Sequence, residues 1–214
     1  MRDIAIFGAG GFGREVACLI NRVNEAKPTW NLVGFFDDGI EKGTLISHFG
    51  TCLGGMEDLN NWSTPLDLCI AIGKGSTVEK IVGKITNPQV DFPNVIHPKV
   101  VFNDMKSLRM GKGNIIQANC SFSCDVIVGD FNVMNGSVVF GHDIIVGNYN
   151  SFMPAIRVSG EVKIGNSNFF GVGSIILQQI TVKNNTTLAA GSVLMTKPKE
   201  GGLYIGVPAK MMKI

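Results

Sequence analysis

From residue 110 onward the hydrophobic positions of this chain keep neither the 3.6-residue spacing of a helix nor the alternation of a strand. Every sixth residue is apolar instead: Met110, Ile116, Phe122, Val128, Met134 and so on to Leu188 and Leu194, fifteen positions in succession. With 45% of the chain apolar, chance gives such a run about once in 10⁵. A period of eighteen lies over the first, because Gly111-Lys112-Gly113-Asn114, Gly129-Asp130-Phe131-Asn132, Gly147-Asn148-Tyr149-Asn150 and Gly165-Asn166-Ser167-Asn168 share G-x-x-N. Three hexads therefore make one coil. The pattern predicts a triangular prism with three short parallel strands per turn, one apolar side chain of each pointing inward, and a tight turn at each corner that favours Gly, Asn or Asp. Asparagines of successive coils would stack as a ladder. No single coil buries a core, so about five, over residues 98 to 196, are needed together.

The first ninety residues follow a different grammar. Ile4-Ala5-Ile6-Phe7 reads as a buried strand running into Gly8-Ala9-Gly10-Gly11-Phe12-Gly13, after which Val16, Ala17, Leu19, Ile20 and Val23 fall at helical spacing. A second strand over 32–36 ends in Asp37-Asp38, and a third over 67–72 ends in Gly73-Lys74-Gly75. Short helical patterns lie around 56–59 and 76–85. The expected fold is thus a Rossmann-like βαβαβ domain over residues 1–92, followed over 93–214 by a parallel β-helix with a C-terminal tail.

Composition narrows the function. Nineteen basic against seventeen acidic side chains leave a net charge of +2, and no basic run of five occurs, so a nucleic-acid footprint is absent. No apolar run approaches the ~18 residues that span a membrane, and the short start Met1-Arg2-Asp3 has no signal-peptide core, so a cytoplasmic protein without membrane insertion is expected. The five cysteines are odd in number and lack a C-x-x-C pair. They read as reduced thiols, with no metal site.

Three residue groups carry candidate chemistry. His142 is the one histidine of three inside the repeat, at a corner after Gly141 and before Asp143. A neutral imidazole suits general-base work, and an adjacent carboxylate can orient it. On the residues alone, a merely polar corner is an equal reading. The loop Gly8, Gly10, Gly11, Gly13 offers N–H groups at a helix N-terminus, where phosphate binds. Three strands provide one mononucleotide half rather than the two of a dinucleotide fold, which argues against NAD. Gly73 and Lys74 end a strand at the carboxyl edge, where open sheets take ligands.

The unbroken hexads, Gly141-His142-Asp143 within them and the tail Gly206-Val207-Pro208-Ala209-Lys210 together resemble the hexapeptide-repeat acyltransferases, in the branch of sialic acid O-acetyltransferases and nucleotide-amino-sugar N-acetyltransferases. The resemblance covers nearly the whole chain. It implies a left-handed β-helix, a homotrimer, and acetyl-CoA as co-substrate between the coils of neighbouring subunits. It also implies His142 as base and Asp143 as its orienting partner. By the same analogy Gly160 supplies the oxyanion N–H, and pantetheine runs along the coils of Gly171, Gly173, Ala190 and Gly191. Lys210, within a tail that also has Lys197, Lys199 and Lys213, would meet the phosphates of coenzyme A. Asp37 and Asp38 match the acidic place near the ribose or base of a nucleotide sugar. Two departures stand out: Phe12 replaces a loop histidine of many relatives, and Ser151 stands where amino-sugar transferases often have a second histidine.

The expected function is transfer of acetyl from acetyl-CoA to the amine of a nucleotide-linked amino sugar. O-acetylation of a sugar hydroxyl needs the same base and donor and is the near alternative. A non-catalytic trimeric binding protein is the alternative of another class.

Overall fold

The computed structural model describes residues 1–212, which form two compact units, Met1–Pro98 and Lys99–Ile214. In the first unit β1 (Arg2–Phe7) is the centre of a parallel sheet, and the buried run Ile4 to Phe7 gives it a core on both faces. Helix α1 (Gly11–Ala26) turns Val16, Ala17, Leu19 and Ile20 inward, the residues whose spacing predicts it. Strand β2 (Trp30–Phe36) and the short β3 (Cys52–Gly54) follow, then α2 (Met56–Asn60), β4 (Leu66–Ile70), α3 (Gly75–Val82) and β5 (Val90–Asp91). The sheet order is β3-β2-β1-β4-β5. Two edge strands thus extend the three read from the sequence. They are two or three residues long, too short for a periodic signal. The third strand ends at Ile70, two residues before the expected 72, although Ala71 N–H still donates to Phe7 O at 2.8 Å.

The polar Asp67 on β4 is 2% exposed, yet it is paired. Trp30 Nε1 donates to it at 2.8 Å, and Arg2 stands 2.7 Å from its other oxygen. A buried carboxylate left without such partners would cost several kcal/mol.

The second unit is a parallel β-helix. One face stacks Val101–Phe102, Ser121–Phe122, Val139–Phe140, Arg157–Val158, Ile175–Ile176 and Val193–Leu194. A second begins with Arg109–Met110 and runs to Thr181–Val182, and a third passes through Ile115–Ile116, Val133–Met134, Ser151–Phe152, Phe169–Phe170 and Thr187–Leu188. Strands pair in register one coil apart, as in Val139 with Arg157 and Ile145 with Lys163. Fourteen of the fifteen sixth-residue positions are buried, Met110 at the first coil being half-buried. Phenylalanines of adjacent coils stack, with Phe152 and Phe170 ring centres 4.9 Å apart.

The asparagine ladder forms. Asn132 donates from both its backbone N–H and its side-chain amide to Asn114 Oδ1, Asn150 does the same to Asn132, and Asn168 to Asn150. The amides of Asn114, Asn132 and Asn150 also reach a corner carbonyl, as Asn150 Nδ2 does to Gly165 O at 2.9 Å.

Two features differ from the expectation. First, each hexad has a second inward position: Val126, Val138, Ile144, Ile156 and Val162 are wholly buried, and the asparagines occupy the same column at every third place. Second, the corners are not reserved for Gly, Asn and Asp. Phe131, Tyr149, Ala155, Glu161 and Gln179 all adopt positive φ there, between 54 and 64°. Left-handed backbone costs roughly 1–2 kcal/mol for such residues. The coil enforces it by a backbone bond to the preceding coil at each corner, such as Tyr149 N–H to Asp130 O at 2.9 Å and Glu161 N–H to His142 O at 2.9 Å.

The tail closes the stack. Leu203–Ile205 adds to the third face, Lys210–Met211 folds back antiparallel to it, and Ala209 N–H donates to Val193 O at 2.8 Å. Among the described residues no helix is long and apolar enough to cross a membrane.

Candidate active site

The corner between the first and second faces of the β-helix carries His142. Its Nδ1 lies 2.7 Å from Asp143 Oδ2, with both side chains more than half exposed. An ionised carboxylate only accepts, so Nδ1 holds the proton of this bond and Nε2 keeps the lone pair of the neutral ring. The adjacent positions on the coil are fixed by backbone bonds: Gly141 N–H to Val158 O at 2.8 Å and Asp143 N–H to Cys124 O at 3.1 Å.

Eighteen residues on, the chain returns to the same corner at Gly160. A Cβ there would sit 2.5 Å from His142 Nε2 and 2.6 Å from Cε1, so the imidazole lies directly across this glycine. The Gly160 carbonyl accepts from Gln179 N–H at 3.1 Å, whereas its own N–H makes no hydrogen bond among the described residues. A base with a free lone pair and an unused backbone donor therefore stand side by side. That is the pairing needed to take a proton from a nucleophile and to receive the oxyanion it creates. Beside them an open groove of about 670 Å³ is lined by Asp125, Asp143, Glu161, Lys163 and Gln179, with the exposed Ile127 and Ile145.

In the first unit the glycine loop joins β1 to α1. Gly8 has φ +105°, and a Cβ on Gly13 would lie 1.9 Å from Gly8 O, so these two glycines let helix and strand approach each other. Gly10 and Gly11 meet nothing of that kind and are exposed. No side chain caps α1, so its first-turn N–H groups remain available to an anion. Asp37 Oδ2 accepts the Ala9 N–H at 2.8 Å and its Oδ1 the Gly39 N–H at 2.9 Å, which ties the end of β2 to the loop. Asp38 is directed elsewhere: its Oδ1 accepts Met56 N–H at 2.7 Å, at the start of α2. Gly73 and Lys74 are exposed at the start of α3, which also lacks a side-chain cap. A larger hollow of about 950 Å³ between β3 and α2 contains none of these residues. Its Lys42 hydrogen-bonds Asp58 and holds that carboxyl below its ordinary pKa of 3.8.

Comparison with known proteins accords with both units. Residues 3–85 match the PglD N-terminal domain family. The curated proteins contain no match. Among solved structures, the acetyltransferase domain of PglB from Neisseria gonorrhoeae, in complex with acetyl coenzyme A, is 26% identical over 99% of each chain with a TM-score of 0.88. A histidine-to-asparagine variant of perosamine N-acetyltransferase from Caulobacter crescentus, in complex with CoA and GDP-perosamine, is 25% identical over 100% of this chain and 98% of its own, with a TM-score of 0.86. Likeness over the whole chain to these two acetyltransferases marks the protein as an acyltransferase enzyme. WeeI from Acinetobacter baumannii, 23% identical over 99% of this chain and 100% of its own, shares the fold with a TM-score of 0.87.

Within this acyltransferase the structure groups some of the sequence candidates and separates others. His142, Asp143 and Gly160 share one corner. Gly171, Gly173, Ala190 and Gly191 lie together at another, where the third face passes to the first. A Cβ on Gly171 would stand 2.4 Å from Ala190 N, so these coils touch through backbone. Ser151 does not join His142 within the chain. Nine residues are half a coil, which puts Ser151 on the third face, where it is 2% exposed. Lys210 is exposed on the closing strand, and Lys213 lies outside the described residues. Among the described residues no group of His, Cys, Asp and Glu could hold a metal ion. Two groove residues, Glu161 and Gln179, escape a motif reading, although stepping eighteen from Asp143 leads straight to them.

Proposed function

We propose that the protein transfers the acetyl group of acetyl-CoA to the amine of a nucleotide-linked amino sugar, with His142 as general base. The observation that carries this reading is the His142 ring, hydrogen-bonded to Asp143 through Nδ1 and lying across Gly160. The likeness over the whole chain to acetyltransferases solved with acetyl coenzyme A, or with CoA and GDP-perosamine, supports the donor and the acceptor class.

The acceptor nitrogen attacks the thioester carbonyl, and an N–C bond forms as the carbonyl oxygen takes the negative charge. The Gly160 N–H donates to that oxygen, with its partner-free geometry requiring no rearrangement. His142 Nε2 takes the proton from nitrogen, and Asp143 stabilises the imidazolium. The C–S bond then breaks, and the proton passes from Nε2 to the departing thiolate. No covalent enzyme intermediate is needed. The nucleotide phosphates rest on the N–H groups around Gly10 and Gly11, near Lys74, while Asp37 holds the loop open to them. Asp38 serves this site indirectly, by fixing α2. The thioester arm follows Gly171, Gly173, Ala190 and Gly191 of a neighbouring copy in a homotrimer of about 69 kDa, three times 22.9.

Release of coenzyme A thiol from acetyl-CoA with GDP- or UDP-linked 4-amino sugars tests the reading. His142→Ala is expected to lower the rate by about 10²–10⁴-fold with the fold intact. An unchanged rate would refute the base, and release only with hydroxylated acceptors would make the protein an O-acetyltransferase.

A further inference from the structure

We infer that Glu161 is the residue that recognises the acceptor as an amine, by pairing with its ammonium form beside His142. This rests on the acetyl-transfer reading and adds a specificity-determining residue to it. Glu161 directly follows Gly160, the glycine under the His142 ring, and its N–H donates to the His142 carbonyl at 2.9 Å. Backbone of the two coils thus fixes where its side chain starts relative to the base. That side chain is exposed and lines the same groove as Asp143.

Of the groove's three carboxylates, Asp125 lies one coil before Asp143, and the other two are differently committed. Asp143 is bound to the imidazole at 2.7 Å. Glu161 has a neutral amide for its partner: Gln179 Nε2 lies 3.3 Å from both of its oxygens, a long contact that steadies the group while leaving its charge unneutralised. Lys163 lines the groove, yet no ion pair joins it to Glu161.

An alkylamine arrives mostly protonated at neutral pH, and it must lose a proton before its nitrogen can attack. A carboxylate next to the base draws in that cation, which gives one proton to solvent before the attack and leaves the second for Nε2 to take as the bond forms. A hydroxyl acceptor carries no charge and gains nothing comparable. Glu161 therefore favours amines over hydroxyls through binding rather than through the chemical step.

The experiment measures thiol release with GDP-perosamine, and uses its 4-hydroxy counterpart as acceptor or competitive inhibitor, for the wild-type protein, Glu161→Gln and Glu161→Asp. In Glu161→Gln the KM for the amine is expected to rise on the order of tenfold with kcat little changed, an effect that shrinks as salt is raised. The KM or Ki of the hydroxy compound should stay where it was. Glu161→Asp keeps the charge and should retain most of the preference. Equal losses for amine and hydroxyl ligands, or an amine KM unmoved in Glu161→Gln, would overturn the inference while leaving acetyl transfer intact. Absence of release by the wild-type protein with any amino sugar would overturn the acetyl-transfer reading and this inference with it.

Discussion

Gly160→Ala separates the catalytic claim from simple packing. The added Cβ would lie 2.5 Å from His142 Nε2, 2.6 Å from Cε1 and 3.0 Å from Cδ2. Ordinary contact begins near 3.5 Å, so the ring must retreat by roughly 1 Å. His142 is more than half exposed and free to rotate, so the fold loses little. Catalysis loses more, because a 1 Å displacement of a reacting group can cost about 10²-fold in rate. The control is Gly171→Ala, whose Cβ would meet the Ala190 backbone nitrogen at 2.4 Å and Ala189 C at 2.8 Å. Backbone held in the coil ladder has nowhere to go, and overpacking of this kind costs roughly 1–3 kcal/mol. At about 2–4 °C per kcal/mol, that is a fall in Tm of a few to about ten degrees. Thermal melts and thiol-release kinetics on both variants read the two effects. Gly160→Ala should keep its Tm within a degree or two and lose about a hundredfold in kcat. Wild-type kcat in that variant, or a Tm loss as large as that of Gly171→Ala, would refute the placement of His142 across Gly160 as the working geometry.

The ladder and the buried thiols give two further tests. Asn150→Ala removes a fully buried amide that donates to Asn132 Oδ1 and Gly165 O and accepts from Asn168, and should destabilise by roughly 2–4 kcal/mol in denaturant titration; a change below 1 kcal/mol would mean the ladder is decorative. Burial pushes the Cys69 thiol up to about 12 and the Cys120 thiol up to about 11, from 9.0. Both bind their protons more tightly when folded, so their contribution to stability should be fully present below about pH 9 and be lost as pH climbs toward 11 to 12. In thiol titration at pH 8, exposed Cys18 should react first and these two only on unfolding; fast reaction at Cys69 or Cys120 would contradict their burial.

Much of the candidate site was legible because the repeat is its own ruler. A period of eighteen places Gly160 on the corner of His142 and would have placed Glu161 beside Asp143. It also accounts for Ser151, which matches a family position by counting yet falls half a coil away, on the third face. The acidic pair after β2 reads alike in sequence, but Asp37 binds the glycine loop while Asp38 binds α2. Only the contacts tell them apart.

The sequence by itself determined the division into a βα unit and a β-helix, the coil length, the inward column from Met110 to Leu194 and the asparagine ladder. Each of these repeats a local choice many times, so the signal accumulates along the chain. The tertiary structure alone decided the positive φ of Phe131, Tyr149 and Glu161, the short edge strands β3 and β5, and the ring of His142 across Gly160. Those are set by bonds between residues a coil or more apart, such as Glu161 N–H to His142 O, and they override what the residues prefer locally.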